Sequence, residues 1–421
     1  MTQNIALIFP GSGSQYVGMG KKIHDTYDVA RKTFQEADDV LGYSLSKICF
    51  EGSIIKLNKA ANILTSILTV SVACFRVYME TVGISPVFLA GHSLGEYSAL
   101  CCGGGISFKD SLLIVRNRAE LAERAGNQGK GAMTVLKNIS PDVVEKICDS
   151  ISTVDTFVSI SCFNSPKQVI ISGCEELILI AEKEALKHGA EVVPFIGSPP
   201  YHSSLMRTII NDLNRELLKH TWGNLKYPVI SNATATPYFR NEDIIDMLLL
   251  QMHSPVLWQK TMTYMKDQNI DVLIEVGPQT VLKNLISENN INLLSLSMDD
   301  NDDVISLEKF AKNRTNSFDE YDAKIDANRK VVSMCLGIAV STKNNNTDNA
   351  AHHNFVKAYN SIKHIKDSID NETPSSNDHY VQEALKMLQV IFEVRATPID
   401  EQKFRYMQIV EKTGVTLPYN I

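Results

Sequence analysis

The stretch Val87-Phe-Leu-Ala-Gly-His-Ser-Leu-Gly-Glu-Tyr97 constrains the fold of this chain more than any other. Val87 to Ala90 is apolar without a turn former and predicts a buried strand, while the small residues from Glu96 to Cys102 predict a helix. Between them Gly91-His-Ser-Leu-Gly95 fits Gly-x-Ser-x-Gly, the sharp strand-to-helix turn that lifts a serine to the carboxyl end of a strand. Glycine suits such a turn because a Cβ would clash where the chain reverses. A helix starting near Leu94 aims its first N–H groups at the spot where negative charge would develop on an attacked carbonyl. Ser93 is therefore the candidate nucleophile. Taken alone, the pattern also fits a solvated turn serine.

The neighbouring sequence supplies a suitable scaffold. Ile5-Ala-Leu-Ile-Phe9 predicts a strand closed by the Gly-rich turn Pro10-Gly-Ser-Gly-Ser14. Helical patterning runs from Gly20 to Leu41, Ala60 to Val82 and Phe108 to Ala125, and this β–α alternation predicts a parallel sheet covered by helices. From Gly131 the texture changes. Strands at 132–136, 158–162, 168–172 and 191–195 interleave with helices at 141–150 and 175–188, and Asn164 to Lys167 turns a hairpin. That order is the ferredoxin-like split βαβ unit. Helical sequence at 205–220 and strands at 229–230 and 272–276 return to the larger layer. The expected organisation is α/β: a large subdomain at 1–130 and 196–298, a ferredoxin-like one at 131–195, and a partly helical extension at 299–421. Within the extension, Asp299 to Asp303 and Asn344 to Asn349 predict polar loops or linkers. Val381 to Val394 predicts an amphipathic helix whose stripe Ala384, Leu385, Leu388, Ile391 and Phe392 is a packing face.

Composition removes several function classes. A net charge of −7 leaves no basic surplus for a phosphate backbone, so no nucleic-acid partner is expected. The eight cysteines form no Cys-x-x-Cys pair and have no histidines at ligand spacing, which predicts free thiols in a reducing compartment and no metal. The N-terminus lacks a basic region followed by an apolar core. No apolar run reaches about 18 residues, so no membrane span is expected. These features predict a soluble cytoplasmic protein.

A serine hydroxyl needs a base to take its proton. Of the ten histidines, His352 and His353 fall in the polar linker, and His24, His188 and His220 on or beside solvated helix faces. His92 adjoins the serine, and its side chain is expected to point away from the turn. His202, in Gly197-Ser-Pro-Pro-Tyr-His202, follows the strand that returns to the large layer, over a sheet edge where sites of such folds form. Geometry alone leaves its role open.

Phe9-Pro-Gly-Ser-Gly-Ser-Gln15, Gly91-His-Ser-Leu-Gly-Glu-Tyr97, Arg118, Gly131-Ala-Met133, Asn164-Ser-Pro, Pro200-Tyr-His202 and Glu275-Val-Gly-Pro278 stand in the order and spacing of the malonyl-CoA:acyl carrier protein transacylases. The chain resembles that family over residues 1–298. The resemblance implies an α/β-hydrolase-like large subdomain carrying a ferredoxin-like one. It makes Ser93 the nucleophile and His202 the general base, oriented by the main-chain carbonyl of Gln251 in place of a carboxylate. It places the oxyanion hole on the backbone N–H groups of Leu94 and Ser12. Arg118, which read without the resemblance would be a solvated charge on a helix, becomes the anchor for the malonyl carboxylate, since its planar fork matches a carboxylate bidentately. Tyr201, Leu64 and Asn164 become substrate contacts, with Leu94 and Tyr201 narrowing the pocket in favour of malonyl.

Two positions depart from the family pattern: Ser12 and Leu64 stand where it has glutamine, making the lining less polar. The implied substrates are malonyl-CoA and a phosphopantetheinylated acyl carrier protein, with no metal or redox cofactor and a monomeric enzyme. The extension at 299–421 suggests a discrete, trans-acting enzyme of a polyketide or hybrid polyketide/nonribosomal peptide synthase. The rival readings are a hydrolase clearing acyl groups from carrier proteins, and a non-catalytic carrier-docking protein.

Overall fold

Apolar runs bounded by turn formers become the strands. A computed structural model of the chain describes residues 4–346, 349–371 and 377–413. β1 (Ile5–Phe9) and β2 (Phe88–Gly91) are buried at every position, as strands covered on both faces must be. Among the described residues, two compact units form, Met1–Ala311 and Lys312–Ile421.

The first unit holds two sheets. Numbering continues with β3 (Gly131–Lys137), β4 (Val158–Ser165), β5 (Gln168–Cys174), β6 (Glu191–Pro194), β7 (Val229–Ile230), β8 (Val272–Glu275) and β9 (Leu294–Ser297). The larger sheet runs β7-β2-β1-β8-β9, parallel throughout. The smaller runs β4-β5-β3-β6 and is antiparallel. Helices Pro141–Ile151 and Glu175–Lys187 pack on it around a core that includes Val144, Ile171 and Ile178. The fold is therefore α/β, with the α/β-hydrolase-like and ferredoxin-like layers expected from the sequence.

Several local expectations change. The helix expected over 20–41 breaks at Tyr27, whose extended backbone separates Lys21–Thr26 from Asp28–Leu41. The one over 205–220 is a 3₁₀ turn, Ser204–Ile209, followed by Ile210–Leu217. β9 was not legible, because its Leu294-Ser-Leu-Ser297 is too short and mixed to signal a strand. The acidic run predicted as a loop instead begins the helix Asn301–Ser341. Asp300 Oδ1 accepts the N–H groups of Asp302 and Asp303 at 3.0 and 3.2 Å, and acidic side chains in a first turn suit the positive end of the helix dipole. Helix Ala60–Thr81 does reach the length and apolarity of a membrane span, against expectation. Here its run Leu64 to Cys74 is buried in the core of the unit.

The second unit has its own core. The stripe Ala384, Leu385, Leu388, Ile391 and Phe392 of helix Asn377–Val394 is buried in it, so it is a packing face. The eight cysteines are free thiols. Residues 347 and 348 of the second predicted linker lie outside the described residues.

Candidate active site

The site forms where β2 ends. Gly91 closes the strand and helix Leu94–Cys102 begins three residues later, with Ser93 between them at φ 53°, ψ −107°. That region is rare for a residue with a Cβ and costs of order 1–3 kcal/mol, so the surroundings must hold it. They do so from both sides of the residue. Asn232 Oδ1 accepts the Ser93 N–H at 2.7 Å, and Gln251 Nε2 donates to the Ser93 carbonyl at 3.0 Å. The two glycines are equally constrained. A methyl carbon on Gly95 would stand 2.0 Å from the Phe9 carbonyl oxygen, and one on Gly91 1.9 Å from the Gly95 carbonyl. Gly95→Ala is expected to cost more than about 4 kcal/mol, since the obstacle is backbone on both sides. Its thermal melting relative to wild type checks this, and a shift of a degree or two would contradict it.

His202 meets Ser93 from the segment after β6. Its Nε2 lies 2.7 Å from Ser93 Oγ. Its Nδ1 lies 2.7 Å from the Gln251 main-chain oxygen, which as a pure acceptor fixes the proton on Nδ1 and leaves Nε2 free to accept. The His202 N–H donates to the Met252 carbonyl at 3.0 Å, pinning the backbone at φ 60°. Burial, and then the charge of Arg118, push the imidazole down to about 3, against which the Gln251 contact acts. The ring is therefore neutral, the state a general base requires.

Ser12, Ser93, Tyr201 and His202 line one cavity with His92, Met133, Cys162, Ile170, Phe195 and Ser198. Leu94 opens the helix beneath it. Neither the Ser12 nor the Leu94 backbone N–H donates to an acceptor among the described residues, which leaves both able to serve an oxyanion.

His92 borders the cavity, but its ring is engaged away from Ser93: Nε2 meets Asn164 Oδ1 at 2.8 Å, and the ring packs edge-on against Trp258. Two placements differ from the sequence reading. Asn164 is not in the lining, because its other amide end donates to Gln168 at 2.9 Å and both ends are thereby used. Leu64 is absent from the lining as well. It packs in the core on helix Ala60–Thr81, so the departure from glutamine there does not touch the cavity.

Arg118, 1% exposed on helix Phe108–Gly129, packs directly against the cavity residue Tyr201. Its guanidinium lies between the Tyr201 and Tyr97 rings, 4.6 and 5.3 Å from their centroids. Its polar contacts are Met252 Sδ at 3.1 Å and Gln251 Oε1 at 3.4 Å. No ion pair joins it to a carboxylate among the described residues. A buried cation without an acidic partner is costly unless an anion arrives to meet it.

Residues missed in the sequence complete the floor. Glu96, wholly buried, accepts from Tyr238 Oη at 2.5 Å, Gln251 Nε2 at 2.7 Å and the Asn232 N–H at 3.2 Å. Its signal was present, as the one charge in the helix Leu-Gly-Glu-Tyr-Ser-Ala-Leu-Cys-Cys102. Asn232 and Tyr238 carry no motif.

Comparison with known proteins agrees with this geometry. Residues 6–325 match the acyl transferase domain family. The chain belongs to the acyl transferases. This acyl transferase is 31% identical over 400 residues to a malonyl CoA-acyl carrier protein transacylase of Bacillus subtilis, covering 95% of this chain and 98% of that one. It is 37% identical over 286 residues to the enzyme of that name from Escherichia coli strain K12, covering 68% and 92%. Among solved structures it resembles a malonyl-transacylase in complex with its type II polyketide synthase acyl carrier protein. The match has TM-score 0.70 and 34% identity, over 73% of this chain and 99% of that one. The transacylase of Coxiella burnetii superposes with TM-score 0.71 at 30% identity, over 73% and 98%.

Proposed function

We propose that this acyl transferase moves a malonyl group from malonyl-CoA to the phosphopantetheine thiol of an acyl carrier protein through a Ser93 ester. The observation that carries the chemistry is the chain Ser93 Oγ, His202 Nε2, His202 Nδ1, Gln251 oxygen, with 2.7 Å at both hydrogen-bonded steps. The substrate class comes from the named relatives and from the buried, acid-free guanidinium of Arg118.

As Ser93 Oγ attacks the thioester carbonyl, its proton passes to His202 Nε2. The oxyanion is received by the N–H of Leu94 at the start of its helix and by that of Ser12 in the turn after β1. Collapse breaks the C–S bond, and the CoA sulfur takes the proton from His202. In the second half the carrier thiol gives its proton to His202 while its sulfur attacks the ester. The C–O bond then breaks and Ser93 recovers a proton. These steps use protein groups alone. Arg118 pairs with the free carboxylate of malonyl, and an acetyl group would leave that cation buried and unpaired.

The relative from Bacillus subtilis covers nearly the whole chain, extension included. The proposal extends to a discrete enzyme that loads the carrier domains of a synthase in trans, acting as a soluble monomer in the cytoplasm; the relative supports the discrete length alone. The test is intact-mass spectrometry of the full chain with malonyl-CoA and a holo carrier protein. A malonyl adduct should form on the enzyme, be absent in Ser93→Ala and pass to the carrier. Free malonate without malonyl-carrier would make the protein a hydrolase. No adduct at all would make it a docking protein.

A further inference from the structure

We infer that Glu96 is a positioning residue for this reaction: its carboxylate holds the Gln251 side chain and the Asn232 loop beneath Ser93, and so keeps nucleophile, base and anchor in register. The inference builds on the proposed transferase chemistry, which supplies its readout.

A carboxylate is rarely sealed in a core without a cation beside it, because burial disfavours its charge. Glu96 is 0% exposed and is held by donors from elsewhere in the chain, Tyr238, Asn232 and Gln251, with Ser231 close by. Oε1 accepts from the Tyr238 hydroxyl and the Asn232 N–H, while Oε2 accepts from Gln251 Nε2. All three partners donate, so the arrangement is that of the ionised form. A proton on Oε2 would set a donor against the Gln251 amide N–H, and one on Oε1 would require the Tyr238 hydroxyl to turn its own hydrogen away.

The two residues held by Glu96 are the two that hold Ser93. Asn232 takes the Ser93 N–H and ties its own amide to the Gly91 carbonyl at 2.6 Å. Gln251 donates to the Ser93 carbonyl, supports His202 through its main-chain oxygen and receives Arg118 on its side-chain oxygen. Releasing the Gln251 side chain would therefore loosen three functions together. Arg118 reaches Glu96 only across that amide, so the two charges are coupled without forming a pair.

The titratable and charged groups around Glu96 are Tyr97 on its own helix, Tyr238 from the segment after β7 and Arg118 across Gln251. Burial raises the carboxyl to about 7, opposed by the hydrogen bonds from Tyr238, Gln251, Asn232 and Ser231. Ionisation, and with it the held geometry, thus sets in near neutral pH. His202 lies far lower.

The test is the pH dependence of Ser93 acylation by malonyl-CoA, read by rapid quench and intact mass on the full chain, wild type and variants. The wild-type rate should rise with pH through a limb near neutrality. Tyr238→Phe removes a donor to the carboxylate, so its limb should move to higher pH. Glu96→Gln should acylate on the order of tenfold more slowly at pH 8, the loss of about one charge-assisted hydrogen bond, and should lack the limb. Tyr238→Phe carries the test if Glu96→Gln fails to fold, which its melting curve reports. A limb that stays put in the variants, or no limb in wild type, would overturn the role of Glu96. Absence of any adduct at any pH would instead sink the transferase reading.

Discussion

His202→Ala should slow malonylation of Ser93 by at least about a thousandfold while leaving the fold intact. Among the described residues Ser93 Oγ has one base at hydrogen-bond distance, His202 at 2.7 Å, and that base is held by the Gln251 carbonyl and by its own N–H to Met252. Without it the hydroxyl must lose its proton to water during attack, and the oxyanion donors alone remain. Rapid-quench acylation rates compared at pH 8 check this, and a loss below tenfold would mean another group takes the proton. A stability signature should accompany the kinetic one. The folded imidazole is depressed to about 3 by burial first and Arg118 second. Below about pH 6.5 the unfolded chain takes up a proton at this histidine and the folded one does not, so acidification destabilises the wild type through His202. His202→Ala has no such uptake. The difference in stability between the two proteins should therefore shift in favour of the variant as pH falls from 6.5 toward 4.

The elbow was legible because its constraints are local. A strand, two glycines and a small-residue helix fix the position of Ser93 whatever packs around them, and the obstacles to a Cβ at Gly91 and Gly95 are backbone. His202 and the Gln251 carbonyl were reached through resemblance, since the 49 residues separating them carry no spacing rule. The floor of the site was not legible. Glu96, Asn232, Tyr238 and Gln251 meet across gaps of 136, 142 and 155 positions, and their pairing exists only once β2, β7 and helix Asp243–His253 are in place. Asn164 illustrates the opposite case. A motif residue can be spent on a neighbouring side chain, here His92, without facing the cavity. The acidic start of Asn301–Ser341 misled because composition reads as linker what capping geometry makes a helix.

Arg118→Ala is expected to lower kcat/KM for malonyl-CoA by two to three orders of magnitude, about 3–4 kcal/mol, within the range lost when a buried charge pair loses one partner. Acetyl-CoA should react no worse than before. The guanidinium is buried between Tyr97 and Tyr201, and its hydrogen-bond partners among the described residues are a thioether and an amide oxygen. That arrangement leaves donors of the planar fork unmatched until an anion enters, so the binding energy is specific to a carboxylate-bearing acyl group. Removing the side chain also removes the cost of keeping an unpaired cation in the core, so the variant should melt no lower than a cavity of its size requires. Arg118→Lys retains charge but loses the fork, and should recover only part of the malonyl rate. Competition between malonyl-CoA and acetyl-CoA, read as the ratio of adducts on Ser93, measures discrimination directly. If both adducts fall by the same factor, Arg118 supports the fold of the pocket and does not read the carboxylate.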